Sequence, residues 1–155
     1  MSAEYREKLH ALRSRIRASE GGPFSIEQEL AALLDKGGPD LAADLLLSLS
    51  DEAHSGAMFS LVHAAESLDT QPYPLYISAV LSSVPQLFAV APNWAVNVLR
   101  RLMNTNPPLR ELVRQLRAAP APIKETVLKI CKLNDAISPD YIPEAIKAEV
   151  ALAAS

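Results

Sequence analysis

Few residues in this chain could do chemistry, and their spacing does not assemble them. The histidines are His10, His54 and His63. No two of them stand four apart, the spacing that puts a pair of metal ligands on one helix face. Cys131 is the only cysteine, so neither a tetrahedral zinc set nor an intramolecular disulfide is expected. It stands among apolar neighbours at helical spacing and reads as a small buried hydrophobe. Gly21-Gly22 and Gly37-Gly38 each precede a proline and read as chain corners, not phosphate-cradling loops. Ser55-Gly56 falls in a helical pattern and not in a nucleophile elbow. The expectation is a chain with no catalytic residues, no cofactor and no metal.

Charge carries more information than these motifs. Between Phe24 and Asp69 stand nine acids (Glu27, Glu29, Asp35, Asp40, Asp44, Asp51, Glu52, Glu66 and Asp69) against one base, Lys36, a net of −8. The next thirty residues, Thr70 to Leu99, are uncharged. From Arg100 to Lys132 eight bases face two acids, a net of +6. Three readings stay open for the acidic block: solvated helix faces, a surface the protein's own basic helices neutralise, or one that steers and complements a basic protein partner. Nucleic acid is not an expected ligand, because the chain is net −3, the acids repel phosphate, and aromatics do not interleave with the bases.

The elements that must position these charges read as helices. With 155 residues, 49% of them hydrophobic, the chain suits one domain with a substantial core. Apolar residues recur at helical spacing between corners marked by many of the twelve prolines, which predicts an all-α fold. Eight or nine short helices are expected, as a compact bundle or a HEAT-like stack of helical hairpins. The first runs from about Ala3 to Arg17, with Leu9, Leu12 and Ile16 on one stripe. Ser25 to Gln28 reads as a capping box opening the second. A third carries Leu41, Leu45, Leu46 and Leu49, and the fourth spans about Asp51 to Leu68. A fifth covers about Leu75 to Ser83, with Pro85 starting a separate turn. Pro92 opens a helix aligning Trp94, Val98 and Leu102, and Asn104 reads as its C-cap. Segments at about 108–117, 123–133 and 139–153 follow, the last with Ser138 as cap. The N-terminus lacks an apolar signal core. The uncharged stretch is interrupted by Pro72, Pro74, Pro85 and Pro92, so it reads as core helices and not a membrane span. A cytoplasmic protein is expected.

From Met58 onward an ordered pattern runs Met58-Phe59-Ser60-Leu61-Val62-His63-Ala64-Ala65-Glu66-Ser67, Tyr73, Tyr76, Val84-Pro85-Gln86-Leu87, Ala91-Pro92-Asn93-Trp94-Ala95 and Arg101-Leu102-Met103-Asn104. This resembles the immunity protein 30 family of bacterial polymorphic-toxin systems, over roughly residues 57–133. The resemblance implies a cytosolic protein encoded beside a toxin, as in contact-dependent growth inhibition, that binds the toxin's C-terminal domain and blocks it. A basic, nuclease-type toxin would suit the acidic segment 24–69, since nucleases must hold phosphate. A helical-repeat scaffold or adaptor in another bacterial pathway is the alternative.

On the toxin-binding reading the best patch is Glu52, His63, Glu66 and Asp69 around Phe59, extended by Tyr73 and Tyr76. Helical spacing from Asp51 would put Glu52, Phe59, His63 and Glu66 on one face, opposite an Ala/Leu stripe. An aromatic among acids suits a binding hot spot, and a second packed face fits Phe59 equally. His63 and Glu66 could form a local helix-surface pair, and Trp94 reads as core.

Overall fold

The computed structural model describes residues 2–155. Among them the chain forms nine helices and no strand: α1 (Ala3–Ala18), α2 (Glu27–Lys36), α3 (Leu41–Leu46), α4 (Ser55–Ser67), α5 (Pro74–Val90), α6 (Pro92–Met103), α7 (Pro108–Arg117), α8 (Ala121–Ile137) and α9 (Glu144–Ala153). The all-α expectation holds.

Most of the helices form where sequence spacing supplies a buried stripe. In α1 the Ser2 hydroxyl accepts the Tyr5 N–H at 3.1 Å, a good N-cap. Tyr5, Leu9, Leu12 and Ile16 are its buried residues. In α6 the stripe is Trp94, Val98 and Leu102, and Asn104 is the C-cap. Gly37 ends α2 with φ +62 and its N–H on the Leu33 carbonyl, a conformation a side chain would strain.

Several boundaries differ from those read in the sequence, and four of them have a physical reason in the fold. The capping box at Ser25 does not form. Ile26 is the cap residue of α2, one position later, and the Ser25 hydroxyl accepts the Glu27 N–H at 3.3 Å. Helix α4 begins at Ser55, four residues after Asp51, because the Asp51 side chain is drawn away to another helix, described below. His54 caps it, Nδ1 accepting the Gly56 N–H at 3.2 Å. Helix α5 runs straight through Pro85 to Val90. Proline costs an interior helix about 3 kcal/mol, which burial of Tyr76, Ile77, Val80, Leu81, Val84 and Leu87 on surrounding helices can offset. Ser138 ends α8 instead of opening α9, its N–H on the Asn134 carbonyl at 2.8 Å. A helix begun at Pro139 would carry Pro143 in its second turn, where the ring clashes with the carbonyl four residues back.

Helix α5 is the hub, packing against α3, α6, α7 and α8, while α1 pairs with α2, α3 with α4, and α7 with α9. Taken as the pairs α3/α4, α5/α6 and α7/α8, the helices meet between adjoining pairs and, in the first two, within the pair. This compact arrangement gathered round one apolar helix fits a bundle and a stack of helical hairpins alike. No described helix is long and apolar enough to cross a membrane.

Candidate functional site

Acids that look alike in the sequence do different work in the fold. Asp51, before α4, reaches the start of α6, where Oδ2 accepts the Asn93 N–H at 3.1 Å and Oδ1 the Trp94 N–H at 3.2 Å. Helix α6 begins after Ala91, which has no side-chain acceptor. Asp51 therefore satisfies two of the donors every helix leaves unpaired at its N-terminus, where negative charge also suits the dipole. Asp69 does the same for α5. Its Oδ2 accepts the Leu75 and Tyr76 N–H groups at 2.7 and 3.0 Å, and Oδ1 accepts that of Thr70 at 2.8 Å. Asp44 takes the Tyr5 hydroxyl at 2.7 Å and ties α1 to α3. Replacing Asp51 by alanine is expected to lower stability by about 1–3 kcal/mol, read from the denaturant midpoint. A loss below about 0.5 kcal/mol would mean that water replaces the carboxylate.

Glu66, on α4, forms a two-pronged pair with Arg101 on α6, Nε–Oε1 at 2.8 Å and Nη2–Oε2 at 2.9 Å. Its partner is thus an arginine on another helix and not His63, three residues away. The planar fork of arginine fits a carboxylate in this way. Glu66 is the only one of the nine acids between Phe24 and Asp69 paired with a lysine or arginine among the described residues. The cations of α1 do not change this. Arg13 donates to the Ser48 hydroxyl and the Asp44 backbone carbonyl, and Arg15 to the Ser25 carbonyl.

The patch expected around Phe59 is divided by the fold. Phe59 and His63 lie together on α4, ring centroids 6.2 Å apart, and both are exposed. Phe59 is 37% exposed and meets the Trp94 ring edge-on at 4.9 Å. It is therefore both a packed and a presented side chain. Glu52 is exposed but precedes α4, so it does not share the helix face with Phe59 that a helix from Asp51 would have given. Tyr73 is half-buried in the corner before α5, in the left-handed region at φ +62. Tyr76 is only 1% exposed and faces the core, so it offers no open contact surface. The signal for this was present: Tyr76, Val80, Val84 and Leu87 form one apolar helical stripe.

Beside the patch is a cleft of about 320 Å³, lined among others by Glu66, Tyr73, Tyr76, Arg101, Thr105 and Tyr141. Sequence spacing does not reveal it, because its walls come from the ends of α4 and α6, the corner before α5 and the α8–α9 connection. Burial, then the Glu66 carboxylate, pushes ionisation of Tyr76 well above the ordinary phenol range, outweighing Arg101. Its hydroxyl keeps its proton and can donate. Burial, with Asp135 nearby, raises the Cys131 thiol to about 11, which disfavours the reactive thiolate. No group of three His, Cys, Asp or Glu side chains among the described residues could hold a metal.

An all-helical protein that presents unpaired acids and a half-exposed aromatic has the features of a protein-binding module, and comparison with known families identifies its class as immunity protein. The immunity protein 30 family matches residues 18–112, more than half the chain, and the chain belongs to that family. The match takes in α2 to α6 and the acidic segment, reaching further toward the N-terminus than the motifs that begin at Met58. No curated protein and no solved structure matches the chain.

Proposed function

We propose that this protein neutralises a bacterial toxin domain by binding it stoichiometrically, and that the acidic segment 24–69 faces a basic, nuclease-type partner in the cytoplasm. A contact-dependent growth inhibition system would be one setting. The observation carrying the reading is that the carboxylates of eight of the nine acids in this segment form no ion pair with a lysine or arginine among the described residues. Unneutralised like charge works against a compact fold and is relieved when a cationic partner docks. Glu27, Asp35, Asp40 and Glu52 are exposed and unpaired, so they supply the long-range attraction. Phe59 and His63 supply contact area, and Glu66, Asp69 and Tyr73 form the patch's structural edge. Tyr76 supports that edge from within.

The direct test is co-expression with the toxin domain encoded beside the gene, followed by pull-down and growth rescue. A one-to-one complex and restored growth are expected. Absence of both rejects the reading. Within such a complex Phe59→Ala should speed dissociation roughly tenfold or more, as truncating an aromatic anchor does. An unchanged rate would make Phe59 merely a cover for Trp94.

A further inference from the structure

A groove of about 290 Å³ opens where the corner before α3 meets the connection from α4 to α5, lined among others by Pro39, Ala42, Leu68, Leu75 and Ala79. Two of these are large aliphatic side chains left in solvent. No large hydrophobic side chain among the described residues is more exposed than Leu75, at 73%, and Leu68 is 42% exposed. The packing of α5 makes no use of Leu75, since its buried stripe begins at Tyr76. Single exposed leucines are ordinary, but two on the walls of one groove make an apolar site. The wall that carries Leu75 is also fixed. Asp69 Oδ2 accepts the Leu75 and Tyr76 N–H groups at 2.7 and 3.0 Å, and the Tyr76 side chain is held in the core. A wall already ordered loses little freedom when something docks on it.

The charges around the groove decide what fits it. Asp69 is the only charged residue that lines it, and no lysine or arginine pairs with that carboxylate. Asp40, exposed and equally unpaired, follows Pro39 at the rim. An apolar side chain with an acid beside it would be repelled here, and one with a base beside it is attracted. We propose that the groove receives an apolar side chain of the toxin, flanked on the toxin surface by a lysine or arginine. The apolar side chain lies against Leu68 and Leu75, and the cation faces Asp40 and Asp69. This rests on the toxin-binding reading and deepens it. Ala65, which also lines the groove, is six residues from Phe59 and so lies off the Phe59 stripe of α4. The groove is therefore a second anchor, which the toxin fills by reaching round the end of α4. Charge along the acidic segment attracts a basic partner without fixing its orientation, whereas a side chain seated in a groove fixes it.

Leu75→Ser in the full chain, measured against the toxin domain encoded beside the gene, is the test. The side chain is exposed in the free protein, so Tm should stay within a few degrees of the wild type's. Dissociation from the toxin should rise about tenfold with association nearly unchanged, as on losing an apolar anchor. Leu75→Met keeps the apolar surface and should dissociate as the wild type does. Asp40→Asn removes the rim charge and should slow association severalfold at low salt. The inference is overturned if Leu75→Ser dissociates at the wild-type rate, if Leu75→Met dissociates as fast as Leu75→Ser, or if Asp40→Asn associates at the wild-type rate. A large fall in Tm for Leu75→Ser also overturns it, because the leucine then serves the free fold. So does a free wild-type protein that sediments as a dimer and becomes monomeric in Leu75→Ser, since a second copy of the chain then fills the groove. A wild-type protein that fails to bind the toxin rejects the parent reading as well, while tight binding unaffected by Leu75→Ser rejects only the groove.

Discussion

Trp94→Ala is expected to cost the free protein about 3–5 kcal/mol, the range for emptying a large aromatic site in a core. The ring is 6% exposed and stands at the head of the α6 stripe, above Val98 and Leu102. Phe59 closes over it edge-on at 4.9 Å, a preferred aromatic geometry that adds about 0.5–1.5 kcal/mol beyond area. Its backbone N–H is held by Asp51, so the ring, the α6 start and the chain before α4 meet at one point. For a domain of this size the loss corresponds to a Tm drop of roughly 6–20 °C. Phe59→Ala in the Trp94→Ala background should cost less than in the wild type, because the two rings share a contact. A loss under about 1 kcal/mol, with toxin binding abolished, would make Trp94 an interface anchor instead.

What could be read from the sequence divides by distance along the chain. The stripes of α1 and α6, the Asn104 cap and burial of Trp94 depend on neighbours within a few turns, and the sequence displays them. Asp51 acts on residues 42 and 43 positions away, and Glu66 on one 35 away. No local spacing distinguishes those acids from solvated ones such as Glu52. The same limit produced the division of the expected patch. A helix drawn through Asp51 puts Glu52 beside Phe59, but in the fold Asp51 leaves the helix to cap α6 and Glu52 stays with it in the preceding loop. Pro85 misleads for a different reason. Proline's cost to a helix is local, whereas the packing that outweighs it lies on four other helices. The cleft draws its walls from elements spread from Glu66 to Tyr141, and only the folded chain brings them together.

Reversing Asp35 and Glu52 to lysine should slow capture of the toxin about tenfold or more at low ionic strength, since steering by a charged surface can change association rates by ten- to a thousandfold. These two acids are chosen because neither carboxylate pairs with a lysine or arginine or caps a helix among the described residues. Asp35 lies near the end of α2, where a cation suits the helix dipole. Glu52 is exposed, and its Oε2 accepts the Ser50 hydroxyl at 3.0 Å. Glu66 and Asp69 would not serve: reversing the first sets a cation against Arg101, and reversing the second leaves the α5 N-terminus uncapped. The double variant should unfold within a few degrees of the wild type. Its dissociation rate should change little, because rim charges act mainly before contact is made. Raising salt to about 1 M shortens the screening length to roughly 3 Å, so wild-type and variant association rates should then converge. Stopped-flow association across a salt series reads both effects. If neither salt nor the reversal changes the association rate, the acids are a solvated face. The toxin would then be recognised elsewhere, with the exposed, unpaired cations Arg110 and Arg117 of α7 the next residues to reverse.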